Sequence, residues 1–261
     1  MRITGVVYLK VLITGATGQL GLDLLKQLKN TDYQVKITSR RKPENINPFE
    51  WVYSDFLTGE GLEDAIIDVD VIIHAATSPM KDSNIVDVVG FGHFLDMSQH
   101  IKHFIYPSIV GIEDIPLKYY KYKYQAEELL KNSTVPHTII RATQFHSFIE
   151  NLLLSKPLFK RYIVPGNIKF QTVDASEYAT HLIQLIGDVP KGKTDDFGGP
   201  EILTLREMAE IKIKVNNELN KVANLSFPGK LYKAFLKGKN TNEHQKSGKI
   251  TFEEYLRNKW K

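Results

Sequence analysis

The sequence contains no cysteine. Disulfide bonds, thiolate nucleophiles and zinc sites with cysteine ligands are therefore excluded, and we expect a reducing cytoplasm as the compartment. The sequence also has no apolar run close to the roughly 20 residues that a helix needs to cross a bilayer. Residues 1–8 are too short and too mixed in character for a signal peptide. We therefore expect no membrane partner.

The sequence has no strong excess of charge of either sign, since its formal net charge is +4. Its lysines cluster at residues 118–123 and 230–249, and solvated faces explain such clusters more often than nucleic acid does. No helix-turn-helix, RNA-binding or zinc-finger pattern is present, and the histidines form no metal-binding motif. We expect neither a nucleic-acid partner nor a bound metal.

Apolar runs alternate with helical patterns from about residue 9 to residue 143. The predicted strands are Lys10–Thr14, Gln34–Ser39, Trp51–Tyr53, Val69–His74, His103–Pro107 and His137–Arg141. The predicted helices are Gln19–Asn30, Gly61–Ile67, Ile85–His100 and Tyr119–Asn132. The strands are continuously apolar, which is typical of a parallel sheet that is covered on both faces. The pattern predicts an α/β, doubly wound, parallel-sheet Rossmann fold.

Three glycines follow the first predicted strand, at Gly15, Gly18 and Gly21. An amphipathic helix begins directly after them, so the segment predicts a strand, a tight turn and a helix N-terminus. That arrangement directs unpaired N–H groups and the positive end of a helix dipole at an anion. We predict a dinucleotide site whose phosphate loop includes Gly15, Thr17, Gly18, Gln19, Leu20 and Gly21. An ordinary strand–turn–helix corner is the alternative.

The end of the second predicted strand indicates which dinucleotide binds. Proteins selective for NAD place a carboxylate there to bind the ribose 2′-hydroxyl. Here Arg40 and Arg41 occupy that region, and no carboxylate appears before Glu44. A guanidinium suits a 2′-phosphate because it forms charge-assisted, bidentate hydrogen bonds. We therefore predict NADP(H) rather than NAD(H), with a basic surface loop as the alternative.

Two further strand ends are predicted to contact the dinucleotide. Asp55 and Phe56 follow the third strand, where a polar group can bind the adenine amino group. The small residues Ala75, Ala76 and Thr77 follow the fourth strand and leave space for the nicotinamide ribose. His74 lies at the same strand end, where we expect a buried core histidine rather than a ligand.

Ser108, Tyr119 and Lys123 are the predicted catalytic residues. Ser108 lies at the end of the fifth strand, and Tyr119 and Lys123 share one helix face at i and i+4. A lysine ammonium beside a tyrosine favours release of the phenolic proton, so the tyrosine can act as a general acid toward a carbonyl. Lys123 can also hold the nicotinamide ribose. The segment is so rich in tyrosine and lysine that a chance match is the alternative, and Tyr120 pairs with Tyr124 in the same way.

The regular alternation weakens after residue 143. A helix is predicted over Ala175–Gly187 with Asp174 as N-cap, and another over Thr204–Asn220 with a capping box. A last helix is indicated by the apolar residues Phe252, Tyr255, Leu256 and Trp260. We predict a dinucleotide-binding domain over 1–150 and a small substrate-side lobe over 151–261. Residues 170–200 are expected to return partly to the first domain.

Seven segments together resemble the atypical or extended short-chain dehydrogenases/reductases, in particular their NmrA-like NAD(P)-binding branch. The resemblance runs over nearly the whole chain. The segments are Thr14–Gly21, Tyr106–Gly111, Tyr119–Lys123 with Glu127, Ile140–His146, Phe170–Asp174, Gly199–Thr204 and Ser247–Leu256. The resemblance implies a Rossmann cofactor domain with a small C-terminal lobe, and it assigns the family's tyrosine to Tyr119 rather than Tyr120. Because family members begin shortly before the first strand, residues 1–8 are expected to be an extension, native or from a misassigned start.

The resemblance leaves three functions open. The first is an NADPH-dependent reductase of a small carbonyl or quinone-type substrate, acting as a monomer or homodimer. Its expected pocket residues are Gln144, Phe145, His146, Phe148 and Tyr162, for which packing between lobes is the alternative. The second is an NmrA-type regulator that binds NADP(H) without chemistry and senses its redox state. The third is a sugar-nucleotide epimerase or dehydratase, for which the chain is short.

Overall fold

A computed structural model describes residues 9–44 and 46–259. The expected extension at residues 1–8 and the predicted contribution of Trp260 to the last helix lie outside the described residues. The predicted Rossmann fold is confirmed, because a seven-stranded parallel sheet with the strand order β3-β2-β1-β4-β5-β6-β9 forms the centre of the chain. Its strands are β1 (Lys10–Thr14), β2 (Gln34–Ser39), β3 (Glu50–Tyr53), β4 (Val71–His74), β5 (His103–Ile109), β6 (His137–Ala142) and β9 (Gly192–Lys193).

Helices and short strands complete the architecture. The helices are α1 (Gln19–Leu28), α2 (Leu62–Ile66), α3 (Phe91–Met97), α4 (Lys118–Lys131), α5 (His146–Phe148), α6 (Ala175–Gln184), α7 (Leu205–Val215), α8 (Lys230–Leu236) and α9 (Phe252–Asn258). Two small sheets pair β8 (Lys169–Phe170) with β10 (Leu203–Thr204), and β7 (Arg161–Val164) with β11 (Lys221–Asn224). Within the described residues, no helix has the length and apolar character that crossing a membrane requires.

The chain divides into two compact units. The first comprises residues up to Pro107 together with Gln125–Ile139 and Ala179–Thr194. Its core packs the apolar faces of β1, β4 and β5 against α2 and α3, around Leu12, Ile72 and Phe104. The register of β1 with β2 and β4 brings the carboxyl ends of these strands to one edge of the sheet. In parallel sheets ligands bind at that edge.

The second unit comprises Ser108–Tyr124, Ile140–Tyr178 and the residues from Asp195 onward. Its main core lies between β7 and the helices α7 and α9, and includes Phe252 and Leu256 as predicted. Both helices begin at a capping box in which the N-cap threonine and a glutamate three residues later exchange hydrogen bonds. Each box satisfies N–H groups that a helix start leaves unpaired.

The predicted helices are mostly shorter in the structure, and two of them differ most. The stretch Ile85–His100 is a π-helical turn over Ile85–Gly90 followed by α3, which ends at Met97. The predicted helix Thr204–Asn220 ends at Val215, because Asn217 adopts a positive φ of 51° that a helix does not accommodate. The predicted N-cap Asp174 is confirmed, since its Oδ1 accepts a hydrogen bond of 2.8 Å from the N–H of Ser176.

Candidate functional site

The three glycines form a tight turn between β1 and α1. Gly15 has a φ of 65°, and a Cβ there would lie 2.6 Å from the Cα of Ala76. A Cβ at Gly21 would lie 2.3 Å from the carbonyl oxygen of Gly15. Real Cβ atoms do not approach so closely, so both positions require glycine. Gly18 is the N-cap of α1 and has an extended backbone.

The beginning of α1 fits an anion. No side chain caps it, and its first turn contains no acidic residue. The N–H groups of Gln19, Leu20 and Gly21 precede the first possible i→i−4 partner within the helix, so they remain available to a ligand. Thr17, Gly18 and Gln19 are exposed at this turn, whereas Leu20 is buried beneath it. These residues can hold the diphosphate of a dinucleotide with backbone donors and the helix dipole.

The end of β4 lies against the glycine turn. The N–H of Ala76 donates to Oγ1 of Thr14 at 3.2 Å, and the same hydroxyl lies 3.0 Å from Nδ1 of His74. The structure therefore brings the predicted Ala75–Thr77 segment to the glycines. His74 itself is 3% exposed and lies among aromatic rings, with Phe56 at 5.0 Å between centroids.

Sequence reasoning missed Asp87. This carboxylate is buried, and it accepts hydrogen bonds from Oγ of Ser83 at 3.0 Å, from the N–H of Ser78 at 3.2 Å and from Oγ1 of Thr77. It thereby fixes the loop that follows the Ala75–Thr77 segment. The sequence feature that could have identified Asp87 is its position as a lone carboxylate inside the apolar run Ile85–Val89.

Arg40 and Arg41 directly follow β2 at the same sheet edge. Both side chains are exposed, and neither forms an ion pair with another residue that the structure describes. Asp55 follows β3 and accepts the N–H of Leu57 at 2.9 Å. Phe56, by contrast, is buried in the core of the first unit, a placement that favours packing over contact with a ligand.

The predicted catalytic residues belong to the second unit. Ser108 lies near the end of β5 and is 5% exposed, and its Oγ has no hydrogen-bond partner among the described residues. Buried hydroxyl groups are normally hydrogen-bonded, so this one needs an explanation. Tyr119 and Lys123 both lie on α4, where Tyr119 is half-buried and Lys123 is 4% exposed.

The neighbouring Tyr120 has a different environment from Tyr119. It is buried, and its hydroxyl accepts a hydrogen bond of 3.2 Å from Nε2 of Gln144. Burial raises the pKa of Tyr120 to about 12. Gln144 is held in turn by Asn240, whose Nδ2 donates to its Oε1 at 3.1 Å. Gln144, one of the predicted pocket residues, is therefore hydrogen-bonded to Tyr120. The sequence analysis did not single out Asn240.

The remaining predicted substrate residues divide into exposed and packed ones. Phe148 is 47% exposed, and Phe145 is half-buried with its ring 6.1 Å from that of Tyr178. Tyr162 is buried in the core of the second unit, and its hydroxyl donates to Glu218 at 2.8 Å. Burial and the Glu218 carboxylate raise the pKa of Tyr162. This placement favours packing over contact with a substrate.

His146 is also fixed by its surroundings. It is 1% exposed, Nδ1 lies 2.7 Å from Oγ1 of Thr172, and Nε2 lies 3.0 Å from the carbonyl oxygen of Ile250. A carbonyl only accepts, so Nε2 carries the proton and Nδ1 accepts from the threonine hydroxyl. Burial holds the pKa of His146 below its usual range. The ring is a neutral, fully bonded core histidine.

This histidine predicts a loss of stability in mild acid. The unfolded chain takes up a proton near pH 6.5, while folded His146 stays neutral, so stability is present above that pH and falls below it. Each such histidine contributes at most about 1.4 kcal/mol per pH unit. We expect a lower urea-unfolding free energy at about pH 5.5 than at about pH 7.5.

The matched variants are His146→Gln and His93→Gln. His103 and His181 also have pKa values lowered by burial, so His146→Gln should reduce the pH slope without abolishing it. His93 is exposed, so its replacement controls for the loss of one histidine without disturbing a buried ring. An unchanged or steeper slope in His146→Gln would contradict the assignment.

No group of His, Asp or Glu side chains within the described residues is arranged to hold a metal ion. Residues 15–150 match a family model described as NAD(P)H-binding. That match covers just over half of the chain and contains the glycine turn, both arginines and the Ser108–Lys123 region.

Two solved structures share the fold over nearly the whole chain. An NADPH-dependent quinone oxidoreductase from Escherichia coli, complexed with NADPH, superposes with a TM-score of 0.78 at 17% identity, covering 96% of this chain and 100% of its own. A triphenylmethane reductase from Citrobacter superposes with a TM-score of 0.78 at 17% identity, covering 95% and 98%. At these identities the likeness shows the fold alone.

One sequence relative is described as an assembly factor rather than as a reductase. A photosystem II assembly factor, Ycf39, from Trieres chinensis is 27% identical over 169 residues, which is 60% of this chain and 50% of that protein. The chain spans about half the length of the curated relatives it matches.

Proposed function

The chain belongs to the NAD(P)H-binding family, and from that premise we propose that it is an NADPH-dependent oxidoreductase acting on a small carbonyl or quinone-type substrate. The residues fit the dinucleotide, because the glycine turn leaves no room for a Cβ at Gly15 or Gly21 and presents an uncapped helix start. The backbone N–H donors of that turn complement phosphate groups. So do the two arginines after β2, which form no ion pair with a described residue.

The observation that carries the proposal is the buried Oγ of Ser108 without a partner. A site built to bond a substrate oxygen leaves such a group unsatisfied until the substrate arrives. Tyr119 and Lys123 lie in the same compact unit, on one face of α4. A serine hydroxyl, a tyrosine and a lysine together can polarise and protonate a carbonyl oxygen.

Each residue has a distinct role in the proposal. NADPH held at the glycine turn would supply the hydride that reduces the substrate. Ser108 donates a hydrogen bond to the substrate oxygen, Tyr119 delivers a proton to that oxygen, and the Lys123 ammonium favours its release. For a quinone, orientation of the ring suffices without Tyr119. Burial keeps Tyr120 neutral, and Gln144 holds its hydroxyl in place. The rings of Tyr119 and Tyr120 lie 6.1 Å apart between centroids.

The direct test follows NADPH oxidation spectroscopically with a panel of aldehydes, ketones and quinones. We expect turnover with at least one class of acceptor. Tight NADPH binding without turnover of any acceptor would contradict the enzymatic proposal. We propose the cytoplasm as its setting, with a monomer or homodimer as the working form.

The choice between the two dinucleotides gives a separate prediction. Replacing both Arg40 and Arg41 by alanine should weaken NADPH by roughly 1.5–3 kcal/mol, the cost of losing charge-assisted hydrogen bonds, and NADH far less. Calorimetric titration with each dinucleotide measures the difference. Lys29→Ala is the matched control, since Lys29 is an exposed cation at the other end of α1. Equal losses for NADPH and NADH would contradict a 2′-phosphate role.

A regulator without chemistry is the second candidate. It is favoured by one observation, the sequence match to a protein described as an assembly factor. This candidate predicts that a protein partner is bound with different affinity in the presence of NADP⁺ and NADPH. Equal affinities would contradict it, because a ligand shifts an equilibrium only by its differential affinity.

A further inference from the structure

A two-residue turn in the second unit presents a large apolar side chain to solvent. Phe159 and Lys160 form the turn between Leu158 and Arg161, whose backbones exchange hydrogen bonds of 2.8 and 2.9 Å. The φ angles of Phe159 and Lys160 are 48° and 57°, which asparagine and glycine adopt with less strain. Phe159 is nevertheless 87% exposed. Neither packing nor backbone preference accounts for a phenylalanine here.

Four exposed cations border this turn. Lys156, Lys160 and Arg161 are exposed. Lys221, also exposed, begins β11 in register with Arg161, and its N–H donates to the carbonyl of Lys160 at 3.0 Å. None of these four cations has an ion pair with a residue that the structure describes. The turn therefore carries a local excess of positive charge.

Two exposed leucines enlarge the apolar surface that Phe159 forms at this turn. Leu158 is 57% exposed and Leu219 is 89% exposed. Leu219 precedes Lys221 by two residues, as Phe159 precedes Arg161, so the parallel register brings both to the same end of the small sheet. The carboxylate of Glu218 accepts hydrogen bonds there from Asn216 and Asn220. We name as the basic apolar tip the residues Leu158, Phe159, Lys160, Arg161, Leu219 and Lys221.

We propose that the basic apolar tip docks reversibly on the surface of an anionic lipid bilayer. Three apolar side chains are too few for a stable protein interface, to which each partner contributes about 800 Å². A bilayer interface accepts a small apolar group, and anionic headgroups attract each flanking cation in addition. This proposal departs from the sequence-based expectation of no membrane partner. That expectation rested on the lack of an apolar run long enough to span a bilayer, which docking on the bilayer surface does not need.

The test sediments the full chain with vesicles of mixed phosphatidylglycerol and phosphatidylcholine, and with vesicles of phosphatidylcholine alone. We expect binding to the anionic vesicles at low salt, release at high salt, and no binding to the neutral ones. Absence of binding to the anionic vesicles at low salt would overturn the proposal.

The decisive variant combines Phe159→Asn with Lys160→Gly. Asparagine followed by glycine suits a turn whose two central residues have positive φ, so the melting temperature should not fall. Removing the ring should lower the partition coefficient about tenfold and removing one cation about fivefold, which together make about fiftyfold. Val189→Ser is the matched control, because Val189 is 80% exposed in the first unit and should leave partitioning unchanged.

Two further outcomes bear on the proposal. If Phe159→Asn alone binds the anionic vesicles as well as the wild type, electrostatic attraction suffices for binding. The proposal that the basic apolar tip docks on the bilayer would then be wrong. If the double variant loses partitioning but keeps its affinity for NADPH, docking is supported independently of the proposed oxidoreductase function. An equal loss in Val189→Ser would also overturn it.

Discussion

Gly21→Ala should weaken dinucleotide binding and destabilise the fold. A Cβ at this position would lie 2.3 Å from the carbonyl oxygen of Gly15 and 2.8 Å from the Cα of Ala16, so α1 must move away from β1. Overpacking of this kind costs typically 1–3 kcal/mol. The N–H groups at the start of α1 then no longer converge on one anion, and we expect the affinity for NADPH to fall at least about tenfold.

Gly92→Ala provides the matched comparison. Gly92 also lies in a helix of the first unit, but the nearest atom to its added Cβ is Cδ1 of Leu129 at 3.8 Å, an ordinary contact. Alanine there should raise the unfolding free energy by about 0.5–1 kcal/mol through helix propensity and leave NADPH binding unchanged. Urea unfolding and calorimetric titration measure both effects. Wild-type affinity in Gly21→Ala would show that the close approach of helix and strand does not form the site.

Tyr119→Phe should lower kcat for a carbonyl substrate by roughly 10²–10⁴-fold, the range for loss of a general acid. The affinity for NADPH should stay near the wild-type value, because the proton is needed only for chemistry. With a quinone acceptor we expect little loss, since hydride donation to an oriented ring does not require this acid. Steady-state kinetics with one acceptor of each class separate the two cases.

Tyr120→Phe tests whether the assignment of the tyrosine is right. Tyr120 is buried, bonded to Gln144, and has a pKa of about 12, so it holds its proton. Its replacement should leave kcat close to wild type and cost about 1 kcal/mol of stability, because the Gln144 amide loses its acceptor. A large loss of kcat in Tyr120→Phe with full activity in Tyr119→Phe would reverse the assignment.

Tyr119 and Tyr120 show what the local sequence does not decide, namely which of two neighbouring tyrosines is buried. The segment Lys118–Tyr124 offers several tyrosine and lysine pairs at helical spacing, and local sequence does not distinguish them. Burial of Tyr120 and its bond to Gln144, 24 positions away, separate it from Tyr119. The same holds for His146 and Tyr162, which were predicted to meet a substrate. Their partners Ile250 and Glu218 lie 104 and 56 positions away.

The sequence by itself determined the parallel sheet, the glycine turn and the helix caps. Their signals are local: continuous apolar strands, glycines at fixed spacing, and threonine followed by glutamate three positions on. Only the tertiary structure decided which polar side chains are satisfied and which remain open. Ser108 has a buried hydroxyl without a described partner, Asp87 anchors a loop, and Phe159 stands in solvent. Long-range packing sets burial and hydrogen-bond partners, and no short stretch of sequence encodes them.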